Sequence, residues 1–204
     1  MALAQLLRQG VTQLHLEINA EQEEKLLAYV ALLAKWNKAY NLTAIREPRD
    51  MMVRHVFDSL TVLPWLAAEA TLDVGTGAGV PGIVLAIMRP SQAFTLLDSN
   101  GKKTRFVRQA ALELGLSNVT VVQSRVEAYQ QASPQVIARA FASLPDMLAL
   151  LGHLIPPQGR LLAMKAAQAE EEIARAPQGW RLEAHPLSVP TLNEQRELVI
   201  VQPA

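Results

Sequence analysis

The chain contains no cysteine. That excludes disulfides, zinc held by thiolates and any cysteine nucleophile, and it fits a reducing compartment. Net charge is missing too: 19 Lys and Arg balance 19 Asp and Glu. A protein that grips bare nucleic acid mainly by phosphate attraction is basic overall, so any such contact here has to be local. No uncharged apolar run reaches membrane-spanning length; the most apolar stretch, "GVPGIVLAIM", is short and broken by Gly and Pro. The N-terminus has an Arg within its first apolar run and no small-residue cleavage site, so no secretory signal is expected. Internal repeats and low-complexity linkers are absent. The four histidines lack metal-ligand spacing, and no metal site is expected. What remains is a 204-residue chain, half of it hydrophobic, able to bury a full core, with a cytoplasmic location expected.

Residues 1 to about 65 read as helices. Asn19 and Gln22 resemble a capping box, followed by apolar Leu26, Leu27, Val30, Leu33 and Ala34 at helical spacing. "KWNKAYNLTAIREPRD" is expected to break that helix, "MMVRHVFDSLTVL" to restart it and Pro64 to end it. From Thr71 short apolar runs alternate with helical stretches: "TLDVG", "AFTLLDS", "NVTVVQS", "QVIARA" and "GRLLAMKA" are strands separated by helices. That alternation predicts an α/β fold with a parallel sheet covered on both faces. "WRLEAHPLSV" and "RELVIVQ" close the chain as a strand hairpin, one strand antiparallel. Seven strands with that ending suit a class I methyltransferase better than a six-stranded dinucleotide-binding sheet.

The turn "LDVGTGAGVPG" reads in two frames. G-x-G-x-G from Gly75, with Asp73 before it, points to S-adenosylmethionine. G-x-G-x-x-G from Gly77 to Gly82 points to NAD or FAD. The second frame starts two residues late after the strand, and an acid beside a pyrophosphate repels it. The first frame is therefore preferred, with Asp73 meeting a methionine ammonium directly or through water. Asp98, at the end of the next strand, suits a ribose diol. Val126 and Glu127, after the third strand, can flank an adenine.

The acceptor is narrowed by what is missing. Cytosine C5 methylation needs a cysteine. Exocyclic amine methylation commonly uses [D/N/S]-P-P-[Y/F/W] after the fourth strand, where this chain has "FASLPDM". Arg139 ends that strand; it cannot act as a base, but it can orient an anion, a carbonyl or a base plane. Guanine N7 fits, because its lone pair attacks without losing a proton. Local cations are present in "GKKTRFVRQ", with Lys102, Lys103, Arg105 and Arg108, and in "KWNKAYNLTAIREPRDMMVR", where Trp36 and Tyr40 interleave them. Lys165 and Arg196 add cations at strand ends. His55 and Asp58 share a helix face. A small-molecule methyltransferase of the same fold and a non-catalytic ribosome assembly factor remain open on these residues alone.

Taken in order, "KWNKAYNLT", "VRHVFDSL", "LDVGTGAGVPGIVLA", "LLDSNGKKTRFVRQ", "SRVEAY" and "ARAFASL" resemble the bacterial small-subunit rRNA guanine-N7 methyltransferases, the glucose-inhibited division protein B family, from about Leu26 to the C-terminus. The resemblance implies a helical cap (1–65) on a class I methyltransferase domain (66–204). It also implies S-adenosylmethionine as donor, no metal, and N7 of guanine 527 (rRNA numbering) in 16S rRNA as acceptor, within the small subunit or its precursor. A monomer is expected. By position, Gly75 and Val80 would contact the donor, Asp98 its ribose, and Val126 and Glu127 its adenine. Arg139 would touch the donor and face the acceptor as a catalytic residue with Lys165. Lys102, Lys103, Arg105 and Arg196 would face RNA. The chain departs from the family at Gln135 (usually Asp), Ala166 (usually Gly) and Glu197 (usually His).

Overall fold

The computed structural model describes residues 2–139, 142–166 and 169–204. Two helices open the chain, α1 (Leu3–Gln13) and α2 (Ala20–Tyr40). The Asn19–Gln22 capping box forms, so two orphan N–H groups at the start of α2 are satisfied reciprocally. The break expected within "KWNKAYNLTAIREPRD" falls at Asn41: α2 runs on through "KWNKAY" and stops there, where the left-handed conformation (φ 49°) ends the turn. The third helical segment also starts earlier, at Pro48, in the first turn where a missing N–H costs nothing. It comprises α3 (Pro48–Met51), a π-helical stretch Met52–Phe57 and α4 (Asp58–Leu60). Pro64 does not terminate it; that residue sits in a separate 3₁₀ turn, Leu63–Trp65.

The expected sheet is present. Its strands are β1 (Thr71–Val74), β2 (Phe94–Asp98), β3 (Val119–Gln123), β4 (Gln135–Arg139), β5 (Arg160–Lys165), β6 (Trp180–Leu187) and β7 (Arg196–Pro203). Their order is β3-β2-β1-β4-β5-β7-β6. β1 to β5 pair in parallel, while β7 inserts antiparallel between β5 and β6. Because β1 is flanked by β2 on one side and β4 on the other, the chain reverses its direction of travel there. In open α/β sheets that switch point opens a crevice at the strands' carboxyl ends.

Strand periodicity divides the core. Leu96, Ile137, Leu162 and Leu198 face one side with α5 (Gly82–Met88), α6 (Gly101–Glu113) and the N-terminal helices. Leu72, Val74, Val136 and Leu161 face the other, under α7 (Leu144–Leu151) and α8 (Ala169–Ala174). The N-terminal helices thus share one continuous core with the sheet. α1 fits through Gly10, where any Cβ would overlap the Phe57 ring. α2 reaches further: the buried Tyr29 hydroxyl donates to the Ala78 carbonyl in the glycine turn at 2.8 Å. No described helix is long and apolar enough to cross a membrane.

Candidate active site

Gly75, Gly77 and Gly79 all have positive φ (71°, 59° and 91°), which explains their spacing: the chain turns left-handed three times between β1 and α5. Gly82 does not share this conformation. It is small because a Cβ there would lie 2.6 Å from Asp73 Oδ2 and 2.7 Å from Leu96 Cγ. The G-x-G-x-x-G match is therefore incidental, and Gly82 serves close packing of helix on strand.

Asp73 alternates to the α5 side of the sheet and is fully buried. Its Oδ2 accepts from Thr76 Oγ1 at 2.7 Å and from the Gly82 N–H at 2.8 Å, bracing both ends of the turn. Burial pushes this carboxyl up to about 6, against the opposing pull of those two hydrogen bonds. Oδ1 has no hydrogen-bond partner among the described residues. Asp73 itself does not line the cavity; it lies behind the turn that does.

The cavity itself, about 500 Å³, opens at the carboxyl ends of β1 to β4. Gly75, Asp98, Val126, Glu127 and Arg139 line it together, as expected for one site assembled from four strand ends. Asp98 accepts from the Gly77 N–H (2.9 Å) and the Asn100 N–H (2.8 Å), which fixes its orientation. Each oxygen keeps lone-pair capacity for a further donor. Val80 does not line the cavity. It is buried in the core, with its N–H bonded to the Thr76 carbonyl. Lys103, expected on the RNA side, lines this cavity, whereas Lys102 and Arg105 are exposed on α6. Ser99, Ser124 and Arg125 also line it and were not anticipated, although two of them directly precede Val126.

Arg139 is the one described residue shared with a second cavity of about 140 Å³. The guanidinium is held by the π-helical segment and the first residue of α4: Nη1 donates to the Arg54 carbonyl (2.8 Å) and to Asp58 Oδ2 (2.9 Å), and Nη2 meets His55 Nδ1 at 3.2 Å. Burial, then the Arg139 charge, drives the His55 imidazole down to about 3, so it is neutral. A neutral ring that accepts at Nδ1 carries its proton on Nε2, which faces Thr43 Oγ1 at 3.0 Å. π-helical turns recur at functional sites, and here one places His55 and Asp58 on the same guanidinium.

Lys165 and Arg196 both line the second cavity, but neither is free. Lys165 Nζ donates to the Ala142 carbonyl (2.6 Å) and pairs with Glu172 (2.9 Å), pinning the chain after β4 to α8. Arg196 Nη2 pairs with Glu194 (2.9 Å), and its Nε lies 3.4 Å from Asp58 Oδ1. Glu194, from a loop that carried no sequence signal, also holds Arg54, and these two guanidiniums keep its carboxyl down near 2. The departures have structural places. Glu197 Oε2 accepts the Ala169 N–H at 3.1 Å. Gln135, at the far end of β4, is buried and accepts from Arg160 Nε at 3.0 Å. Trp36 packs against Phe106, 5.7 Å between ring centroids, with Tyr40 beside it half exposed. Ala140 and Phe141 of the "ARAFASL" motif lie outside the described residues.

Solved structures share this architecture. A SAM-dependent methyltransferase from Aquifex aeolicus aligns with TM-score 0.59 at 17% identity, covering 82% of this chain and 97% of its own. A ribosomal protein L11 methylase from Lactobacillus delbrueckii gives TM-score 0.57 at 13% identity, covering 72% and 77%. They show the class I methyltransferase fold. Sequence relatives are closer. Proteins called ribosomal RNA small subunit methyltransferase G from Shewanella amazonensis and Marinobacter nauticus are 50% and 48% identical, covering 97% and 96% of this chain and 97% and 92% of theirs. The GidB family model, described as rRNA small subunit methyltransferase G, matches residues 22–199, and the chain belongs to that family.

Proposed function

We propose that this protein transfers the methyl group of S-adenosylmethionine to N7 of a guanine in 16S rRNA, guanine 527 in rRNA numbering. The carrying observation is the pair of adjoining cavities separated by Arg139. The larger has the volume of a small-molecule site and the furnishings of a nucleoside site: a strand-end carboxylate, the apolar Val126 and the backbone of Gly75. When bound there, the donor supplies a methyl group activated by its sulfonium. Asp98 accepts from the ribose, Val126 and Glu127 flank the adenine, and the Gly75 turn, held from behind by Val80, takes the methionine part. The unpartnered Asp73 Oδ1 provides negative charge behind that turn, in a setting where charge acts over distance.

Arg139 forms the wall between donor and acceptor. Its own charge prevents it from removing a proton; His55 is committed to Arg139 and Glu197 to the Ala169 N–H, while Asp58 gives Oδ2 to Arg139 and keeps only Oδ1 for a ligand. An acceptor that needs no deprotonation suits such a wall, and alignment with electrostatics does the catalysis. Residues 1–65 act as a cap on the catalytic domain 66–204, bracing the glycine turn through Tyr29 and the wall through His55 and Asp58. Lys102 and Arg105 meet rRNA in the small subunit or its precursor; Lys165 and Arg196 shape the acceptor pocket. The protein works as a cytoplasmic monomer. A strain without the gene is expected to lose one 7-methylguanosine from 16S rRNA, and purified protein with S-adenosylmethionine should restore it. An unchanged nucleoside profile overturns the reading.

A further inference from the structure

The second cavity is too small for a nucleotide and has room for one base. Its wall presents two groups side by side. Arg139 keeps its Nε–H and one Nη2 hydrogen without partners among the described residues. Next to it, Asp58 gives Oδ2 to Arg139 but leaves Oδ1 without a hydrogen bond, although the side chain is only 5% exposed; Arg196 Nε stands off at 3.4 Å. A buried carboxylate oxygen with no donor is costly unless something binds it.

The order of groups, starting from the donor cavity, is Arg139 and then Asp58. The order along one edge of guanine, starting from N7, is O6 and then N1–H. We infer that Asp58 is the residue that selects guanine: its Oδ1 accepts N1–H while Arg139 donates to O6, which leaves N7 turned toward the donor cavity. This rests on the proposed guanine-N7 reaction. Adenine meets the same wall with its amino group against Arg139 and its N1 lone pair against the carboxylate, two repulsions that reject it.

The pairing also strengthens as the reaction proceeds. The N7 lone pair forms the bond to the methyl carbon as the carbon–sulfur bond breaks, and that bond's electrons return to sulfur. No proton leaves, and the purine gains a positive charge that makes N1–H a stronger donor. A carboxylate on N1–H therefore binds the transition state better than the ground state.

The test uses small subunits reconstituted with 16S rRNA carrying a replaced base at the target. Inosine keeps O6 and N1–H, while 2-aminopurine keeps the N2 amine and N7 but has neither. Methyl transfer to inosine should stay within about tenfold of guanine, and transfer to 2-aminopurine should fall at least a hundredfold. Binding measured with S-adenosylhomocysteine, without turnover, should follow the same order. Asp58→Asn places an amide donor where Oδ1 was, so it should shrink the guanine-to-2-aminopurine ratio to below about tenfold. Equal rates on 2-aminopurine and guanine with the unaltered enzyme overturn the inference. Failure on guanine itself overturns the reading it rests on instead.

Discussion

Arg139→Met is expected to reduce methyl transfer by on the order of a thousandfold while leaving the purified protein less stable by about 3 kcal/mol. The two effects have separable causes. Stability falls because Asp58, only 4% exposed, loses its hydrogen-bonded counter-ion at 2.9 Å and keeps only the looser Arg196 contact. A buried charge stripped of its partner is costly, whereas removing both partners costs far less. Activity falls because the guanidinium that forms the wall between the two cavities is gone. Adding Asp58→Asn to Arg139→Met should therefore recover most of the lost stability and none of the activity. Denaturant unfolding and initial-rate assays on both single variants and the double variant measure this. Recovery of both together would mean that Arg139 matters only for folding.

Asp73→Asn should separate stability from function in the opposite direction. The carboxyl is raised by burial from its ordinary range to about 6, so folding favours its protonated form. The sign follows: between about pH 4 and 6 the folded state holds a proton that the unfolded chain has released, so stability declines as pH rises through that window. Above it the ionised carboxylate carries a constant penalty of about 3 kcal/mol. Asparagine keeps an oxygen for Thr76 and Gly82 and removes the charge. The variant should be at least as stable as the parent at pH 8, and its stability should vary less between pH 4 and 6. Donor affinity should move the other way. Each pKa unit by which a nearby ammonium restores Asp73 toward its ordinary value is worth tenfold in binding. S-adenosylhomocysteine should thus bind Asp73→Asn about tenfold more weakly at pH 8, and the difference should vanish near pH 5. Titration calorimetry at both pH values decides it; equal affinities at pH 8 would remove Asp73 from the donor site and leave it a brace for the turn.

The parts legible from sequence are those governed by local rules. Short apolar runs such as "TLDV" and "FTLLD", set between helical stretches, encode the strands of a covered parallel sheet, and the Asn19–Gln22 spacing encodes a cap. Asp73, Asp98 and the glycines are legible because strand-end position follows from strand location. Helix boundaries were less so. "KWNKAY" carries Asn and two aromatics yet stays helical, because Trp36 gains a packing partner in Phe106 that propensity does not register.

The wiring of the site was not legible. Asp58 and Arg139 are 81 residues apart, and Arg54 and Glu194 are 140 apart. Nothing local pairs them; only the packing of the π-helical segment onto the ends of β4 and β7 does. The same packing pairs Lys165 with Glu172 and Arg196 with Glu194, partners that the strand-end positions of the two cations do not reveal. Their partners, Ala142 and Glu194, lie in turns that carry no periodic signal.

The most direct measurement is the position of the transferred methyl group. Small subunits from a strain lacking the gene are incubated with the protein and donor labelled in its methyl group, and the 16S rRNA is reduced with borohydride and cleaved with aniline, which cuts at 7-methylguanosine. One new cleavage is expected, at a single guanine, with label recovered only as 7-methylguanosine from a portion of the RNA digested without reduction. Label in a guanine methylated on its exocyclic amine or on N1, positions that require loss of a proton, would contradict it.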